Sequence, residues 1–85
     1  MKILSVNYLF EYRIEVLFSN GKTKIADFES FLNKSKNESI VKFLDKSKFK
    51  AVEIDNGFLS WNNGEMEISA FSVYNQYSIK AVEAS

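Results

Sequence analysis

Four carboxylates grouped in the second half of the chain are the side chains best suited to chemistry. They are Glu53, Asp55, Glu65 and Glu67, and they flank a segment that contains two Asn-Gly pairs. Paired carboxylates can act as general acid and base, and their oxygens suit Mg²⁺. The same pattern is typical of the solvated face of an amphipathic sheet, and no glycine-rich phosphate loop accompanies it. We therefore expect no catalytic, metal or cofactor site.

The composition points in the same direction. The chain has 85 residues and contains neither histidine nor cysteine. Histidine is the commonest general base and metal ligand, and cysteine would be needed for disulfides or thiolate metal sites. Eleven basic and eleven acidic residues cancel, so no bulk field attracts nucleic acid or an anionic membrane. We expect a non-enzymatic protein from a reducing compartment.

Length and hydropathy predict a single domain over residues 1–85. Hydrophobic residues make up 46% of the chain and eight are phenylalanine, which is typical of a globular protein. The opening MKILSVNYLF lacks a small-residue cleavage site and is interpreted as a first strand. No apolar stretch approaches the roughly 18 residues of a membrane span. We expect a cytoplasmic protein without a membrane segment.

The elements that position the carboxylates are hairpins in the stretch FKAVEIDNGFLSWNNGEMEI, residues 49–68. Asn-Gly is the strongest short hairpin signal, because a type I′ turn needs positive φ at both central residues. Two-residue loops at Asn56-Gly57 and Asn63-Gly64 then join three strands. Period-two alternation gives these strands a polar face with Glu53, Ser60 and Glu67. The opposite, apolar face carries Val52, Ile54, Leu59, Trp61, Met66 and Ile68.

The first third of the chain also reads as strands. Residues 2–8 and 12–18 alternate, with a turn over residues 9–11 between them. Asn20-Gly21 is a third hairpin signal. A two-residue loop there sets Phe18 opposite Thr23, Val16 opposite Ile25 and Ile14 opposite Asp27.

Helices are predicted between and after these strands. Asp27 caps a short helical turn through Phe31 and Leu32. Ser35 and Glu38 form a capping box, which predicts the main helix from Lys36 to Lys46. Ser69 caps another turn, in which Phe71 and Tyr74 share a face. The tail fits a strand through Tyr77 and Ile79 or a helical turn through Ile79, Val82 and Glu83, and is unassigned beyond Ile79.

Together these patterns predict an α+β fold. It has one small antiparallel sheet of five or six strands built on hairpins, with one main helix and short helical turns packed on it.

The chain resembles the bacterial family named domain of unknown function 2442. The likeness rests on YRIEVLFSNGKTKIADFESFL, LDKSKFKAVEIDNGFLSWNNGEMEI and a closing FSVY, and it extends from Ile3 to Tyr74. The polar insertion NKSKNES is longer than the loop that the family pattern suggests. Positions that match the family pattern are Phe18, Gly21, Asp27, Phe49, Trp61 and Gly64.

The resemblance implies a small α+β domain without established chemistry. Some members of such a family are fused to a helix-turn-helix domain, and others resemble partners in toxin-antitoxin gene pairs. Neither association assigns a site to this chain. The resemblance slightly favours a regulatory binding role.

Lysines in the middle third suggest one alternative function. They are interleaved with Phe43 and Phe49, and a basic patch with aromatics is typical of nucleic-acid surfaces. The zero net charge favours a solvated helix face instead. A regulatory nucleic-acid-binding or antitoxin-like component is therefore the alternative, not the favoured function. The lysines are Lys34, Lys36, Lys42, Lys46, Lys48 and Lys50.

Four aromatic residues are the candidate interface. If the helices cover one face of the sheet, Tyr8, Phe10, Tyr12 and Tyr77 lie on the other. Tyrosine suits a surface that is apolar yet partly wet, and contiguous apolar patches mark association sites. The alternative is that the C-terminal tail covers them. We expect a protein-interaction module that forms a homodimer or binds a protein partner.

Overall fold

The computed structural model describes residues 1–82, which form two antiparallel sheets and several short helices. The strands are β1 (Ile3–Phe10), β2 (Arg13–Phe18), β3 (Thr23–Asp27), β4 (Glu53–Asp55), β5 (Phe58–Trp61), β6 (Met66–Ile68) and β7 (Ser78–Val82). The α-helices are α1 (Glu29–Lys34), α2 (Glu38–Val41), α3 (Lys46–Phe49) and α4 (Ala70–Ser72). A 3₁₀ turn spans Lys42–Leu44 and a π-helical turn spans Val73–Tyr77. The predicted α+β class is confirmed, but one sheet of five or six strands is replaced by two sheets.

The larger sheet has the order β1-β2-β3-β7. Alternation along β2 buries Ile14, Val16 and Phe18 completely, while the residues between them are half-buried. The strand therefore has one face on the core, as its period-two pattern predicts. β1 extends to Phe10, and the reversal into β2 uses Glu11 at φ 51° instead of residues 9–11.

The predicted register of the β2–β3 hairpin is wrong by one residue. The structure pairs Glu15 with Ile25 and Leu17 with Thr23. The loop has three residues, because the Gly21 amide donates to the Phe18 carbonyl and Gly21 has φ 86°. This is a type I turn followed by a left-handed residue. The slip turns Ala26 to the core instead of Ile25.

The smaller sheet, ordered β4-β5-β6, has the predicted register. Ile54 pairs with Leu59, and Trp61 pairs with Met66. Asn56 and Gly57 both have positive φ, at 51° and 84°, as a type I′ turn requires. The apolar face is buried at Leu59, Trp61, Met66 and Ile68, half-buried at Val52 and exposed at Ile54.

The helix predicted over residues 36–46 is wrong as a continuous element. The structure has α2, the 3₁₀ turn and α3 in its place. Asn37, not Ser35, caps α2 by accepting a hydrogen bond from the Ser39 amide at 2.9 Å. Asp45 then adopts an extended ψ of 112° and caps α3.

Of the two predicted caps outside this segment, the one at Ser69 is confirmed. Asp27 Oδ1 accepts from the Glu29 amide at 2.9 Å, but Phe28 is the N-cap of α1 and Asp27 lies one residue before it. Ser69 caps α4 through the Ser72 amide. Phe71 is exposed, whereas Tyr74 packs edge-on against Phe18, so these two rings do not share a contact surface.

The end of the described chain is a strand, and β7 pairs antiparallel with β3. The helical alternative for the tail is therefore wrong through Val82, and Glu83 lies outside the described residues. Within residues 1–82, no helix combines the length and apolarity needed to span a bilayer.

Both sheets and the helices share one cluster of buried side chains. Trp61 of the smaller sheet lies 5.9 Å from Phe28 and 5.6 Å from Phe49, measured between ring centroids. The Trp61 indole N–H donates to the Phe49 carbonyl at 2.7 Å, so its one polar atom is satisfied inside the core. The packed layer lies on the same side of the larger sheet as Ile14 and Val16, and no other element of residues 1–82 packs on the opposite side.

Candidate functional site

The uncovered side of the larger sheet, called the outer face below, is the candidate site. Cross-strand partners share a face, so the strand pairings define its members. None of them is buried, whereas Ile14 and Val16 on the opposite side are completely inaccessible. The outer face comprises Ser5, Asn7 and Phe10 of β1, Arg13, Glu15 and Leu17 of β2, and Thr23, Ile25 and Asp27 of β3.

Apolar side chains occupy both the middle and the rim of this face. Leu17 and Ile25 lie half-buried in its middle strands. Leu4, Phe10 and Ile79 lie on the edge strands and are 57%, 53% and 54% exposed. Leu4 and Ile79 each fall at a register shift, where a bulge changes the direction of a side chain. The sheet therefore presents apolar surface on the side that no helix of residues 1–82 covers.

The charges on the outer face are partly paired within the protein. Arg13 Nε lies 3.1 Å from Asp27 Oδ2 across the β2–β3 pairing. The Arg13 guanidinium also lies 5.2 Å from the centre of the Phe10 ring. These two contacts hold the guanidinium along the sheet and leave Glu15 as the neighbouring charge on β2. The face is thus mixed: Leu17 and Ile25 flank Glu15 in its middle strands, and the Arg13–Asp27 pair lies at the end near the β1–β2 turn.

The structure does not bring the four predicted interface aromatics onto one exposed surface. Phe10 is on the outer face and exposed. Tyr12 is only 9% exposed, since its ring packs on Phe49 and its hydroxyl donates to the Leu44 carbonyl. The expectation that its ring is uncovered is therefore wrong. The helical segment that contains Leu44 and Phe49 reaches over this strand end.

The other two predicted aromatics are half-buried. Tyr8 packs edge-on against Phe49 at 6.2 Å, and its hydroxyl donates to the Glu11 carbonyl at 2.9 Å. Tyr77 lies 5.1 Å from Phe28 and packs on α1. An interface role for these residues stays a prediction. Sequence reasoning missed Leu17 and Ile25. The alternation of β2 places Leu17 opposite to Val16, whereas Ile25 was assigned to the core side by the one-residue error in register.

The carboxylates at Glu53, Asp55, Glu65 and Glu67 are separated by the smaller sheet. Glu53, Asp55 and Glu67 lie on its polar side, as the register predicts. Glu65 instead pairs with Lys42 and accepts from Asn62, and these contacts lower the pKa of Glu65. Within residues 1–82, no three acidic side chains converge closely enough to hold a metal ion.

A cleft of about 420 Å³ lies beside the Lys42–Glu65 pair. Its walls come from the helical segment, including Phe43 and Lys48, and from Asn62 and Asn63 of the β5–β6 turn. Another lysine of this segment, Lys46, pairs with Glu11 at 2.7 Å, which raises the pKa of Lys46. Lys42 and Lys46 are therefore engaged within the protein.

Comparison with known proteins identifies the family. The family model described as a protein of unknown function, DUF2442, matches residues 3–78, from the start of β1 to the first residue of β7. The chain belongs to the DUF2442 family. The match includes strands β1–β6, every helix described above and the first residue of β7. No curated protein and no solved structure matches this DUF2442 chain.

Proposed function

We propose that this DUF2442 chain is a non-enzymatic protein-interaction module that forms a homodimer through its outer face. The observation that carries the proposal is that the larger sheet is packed on one side only. A contiguous apolar surface on a small protein commonly marks an association site. Leu17 and Ile25 would form the apolar part of the interface, and Phe10 would lie near its rim.

The charges on β2 suit association of two identical faces. In a two-fold dimer the same patch occurs on both partners. A residue of one copy therefore contacts a different residue of the other copy, and the reciprocal contact also forms. A two-fold axis that crosses β2 at Ile14, between these two side chains, places Arg13 of one copy near Glu15 of the other, and the reverse. Such an arrangement adds electrostatic complementarity without new charged groups. A stable interface of this kind buries about 800 Å² on each partner.

The test is the molar mass in light scattering across a wide range of concentrations. We expect a dimer for the native chain and a monomer for Leu17→Lys, because a lysine in place of this apolar side chain would be desolvated on association. Phe10→Ser should weaken the dimer. Its matched control is Phe71→Ser, which removes a ring that is 66% exposed on α4 and lies away from the outer face.

Two results would count against this function. A native chain that stays monomeric at high concentration would exclude the homodimer. A dimer that Phe71→Ser weakens as much as Phe10→Ser would place the interface elsewhere. Circular dichroism of each variant separates loss of association from loss of folding.

Nucleic-acid binding is the second candidate function. Lys34, Lys36, Lys48 and Lys50 are exposed, and none forms an ion pair with another residue of the described chain. Cations of this kind are able to contact phosphates, and such binding weakens steeply with salt. Retention on heparin that falls with added salt would favour this candidate over the interaction module.

A further inference from the structure

The cleft of about 420 Å³ has two walls that side-chain contacts tie together. One wall is the helical segment over residues 42–51, and the other is the β5–β6 turn with Asn62 and Asn63. Glu65 of this turn pairs with Lys42 and accepts from Asn62 at 2.6 Å, so it links the turn to the helical segment. The volume of the cleft falls in the range of about 300–1,000 Å³ that is typical of small-molecule sites.

The hydrophobic core supports the same cleft from the inside of the protein. Phe43 lines the cleft but is only 2% exposed, and its ring centroid lies 6.3 Å from that of Trp61. The Trp61 indole N–H donates to the Phe49 carbonyl at 2.7 Å, which joins β5 to α3. The cleft therefore exists before any ligand arrives, and a ligand would lose little affinity in ordering its walls.

Two opposite charges line this cleft without forming an ion pair. Lys48 of α3 and Glu53 of β4 are both exposed and both line it. Within residues 1–82, neither is paired with the other or with a third charged residue. Lys42, the other cation of the cleft, is already paired with Glu65. The cleft therefore offers one ammonium and one carboxylate to a ligand.

We propose that this cleft binds a free α-amino acid in its zwitterionic form. The Lys48 ammonium donates to the ligand carboxylate, and the Glu53 carboxylate accepts from the ligand ammonium. Glu53 and Asn63 also line a neighbouring cleft of about 380 Å³, so they form the boundary between the two clefts. Phe43 and Ala51 are the apolar residues of the lining and suit an apolar ligand side chain.

Charge complementarity favours a zwitterion over a simple anion or a simple cation. A phosphate or another anion would be attracted by Lys48 but repelled by Glu53, and an amine would experience the reverse. A zwitterion satisfies both groups at once. None of the residues that line the cleft belongs to the outer face of the larger sheet. The amino-acid site is therefore separate from the proposed homodimer interface, and either proposal can fail without the other.

The test is a titration of the ¹⁵N-labelled chain with L-leucine at constant pH and ionic strength. We expect saturable shifts of the Lys48, Glu53 and Asn63 amides, with a dissociation constant of about 1 mM. N-acetyl-leucine keeps only the carboxylate of the ligand, and leucinamide keeps only its ammonium. Each should bind about tenfold more weakly than leucine, since one charge-assisted hydrogen bond is lost and one repulsion remains.

Two variants assign each ligand charge to its residue. In Lys48→Gln the ligand carboxylate should no longer contribute, so leucine and leucinamide should bind equally. In Glu53→Gln the ligand ammonium should no longer contribute, so leucine and N-acetyl-leucine should bind equally. The matched controls Lys50→Gln and Glu67→Gln remove the same charges from exposed positions outside the cleft and should bind leucine like the native chain. A native-like amide spectrum without ligand confirms that each variant is folded.

Three outcomes would overturn the proposal. Equal affinity of the native chain for leucine and N-acetyl-leucine would show that the cleft is only an anion site. Equal affinity for leucine and leucinamide would show that it is only a cation site. The absence of saturable shifts, or leucine binding that neither Lys48→Gln nor Glu53→Gln weakens, would show that these two side chains are only solvated.

Discussion

Single residues with positive φ decide how the strands connect. Gly21 and Gly57 have nearly the same φ, at 86° and 84°, but different surroundings. A Cβ at Gly21 would meet nothing within 4 Å, whereas at Gly57 it would lie 2.8 Å from Lys2 Cγ. The Gly57 carbonyl also accepts from the Ile3 amide at 2.9 Å. A substitution at Gly21 therefore tests backbone strain alone, and one at Gly57 tests strain together with crowding against Lys2.

We expect Gly21→Ala to lower the free energy of unfolding by about 1–2 kcal/mol, through the positive φ alone. Gly57→Ala should lower it by a further ~1 kcal/mol, because the methyl group must displace Lys2 and disturb the contact with Ile3. Urea denaturation of both variants measures the difference. Equal losses would show that Lys2 moves aside freely.

The residue scale also shows why one register was predictable and another was not. At Asn56-Gly57 both residues take positive φ, so the dipeptide fixes a two-residue loop. At Asn20-Gly21, Asn20 instead uses Oδ1 to accept from the Lys22 amide at 3.0 Å, and only Gly21 is left-handed. The same dipeptide thus supports two loop lengths. Burial of Ala26 and Phe28 in the core, which local sequence does not encode, selects between them.

At the scale of elements, Asp45 decides that the middle segment is not one helix. Its extended ψ of 112° ends the 3₁₀ turn, and its Oδ1 accepts from the Ser47 amide at 3.0 Å and the Ser47 hydroxyl at 2.7 Å. The helical spacing of Ile40 and Leu44 lies entirely before Asp45, so periodicity predicts a helix here without indicating where it ends. The sequence signal for the break is Asp45 with Ser47 two residues later. An aspartate that accepts hydrogen bonds from nearby groups of the chain favours a local turn over a continued helix.

The Asp45 cap makes part of the stability pH-dependent. Hydrogen bonds from Ser47 lower the pKa of Asp45 below its usual value of 3.8. The stabilisation is therefore complete above pH 3.8 and is lost as the pH falls through the lowered value. We expect Asp45→Ala to destabilise the protein at neutral pH, and the difference from the native chain should shrink in acid. Urea denaturation at a series of pH values measures it.

Asn37→Ala is the matched control for this experiment. Asn37 caps α2 with the same geometry, accepting from the Ser39 amide at 2.9 Å, but its amide does not titrate. Its effect on unfolding should stay constant over the pH range in which the effect of Asp45→Ala declines. A pH-independent effect of Asp45→Ala would show that the charge of this carboxylate does not contribute.

At the scale of the whole molecule, two sheets depend on one core. Among the described residues, one backbone hydrogen bond, from the Ile3 amide to the Gly57 carbonyl, joins the edges of the two sheets, so hydrogen bonding gives little coupling between them. Coupling comes instead from side chains, above all from Trp61, which packs on Phe28 and Phe49. Hairpin signals predict each sheet locally, but the division into two sheets follows from this long-range packing. That is why the sequence favoured a single sheet.

This arrangement predicts that both sheets unfold in one transition. Trp61 reports on the smaller sheet through its fluorescence, and exchange of the Ile14 and Val16 amides reports on the larger one. Loss of either sheet would expose the buried rings of Phe28 and Phe49, so neither should persist without the other. The two probes should give coincident midpoints in urea. Trp61→Phe removes the hydrogen bond to the Phe49 carbonyl and should shift both midpoints by the same amount. Because this variant lacks the tryptophan fluorescence, circular dichroism replaces it as the second probe beside exchange. If one midpoint moved alone, the sheets would be separate folding units and the shared core would not couple them.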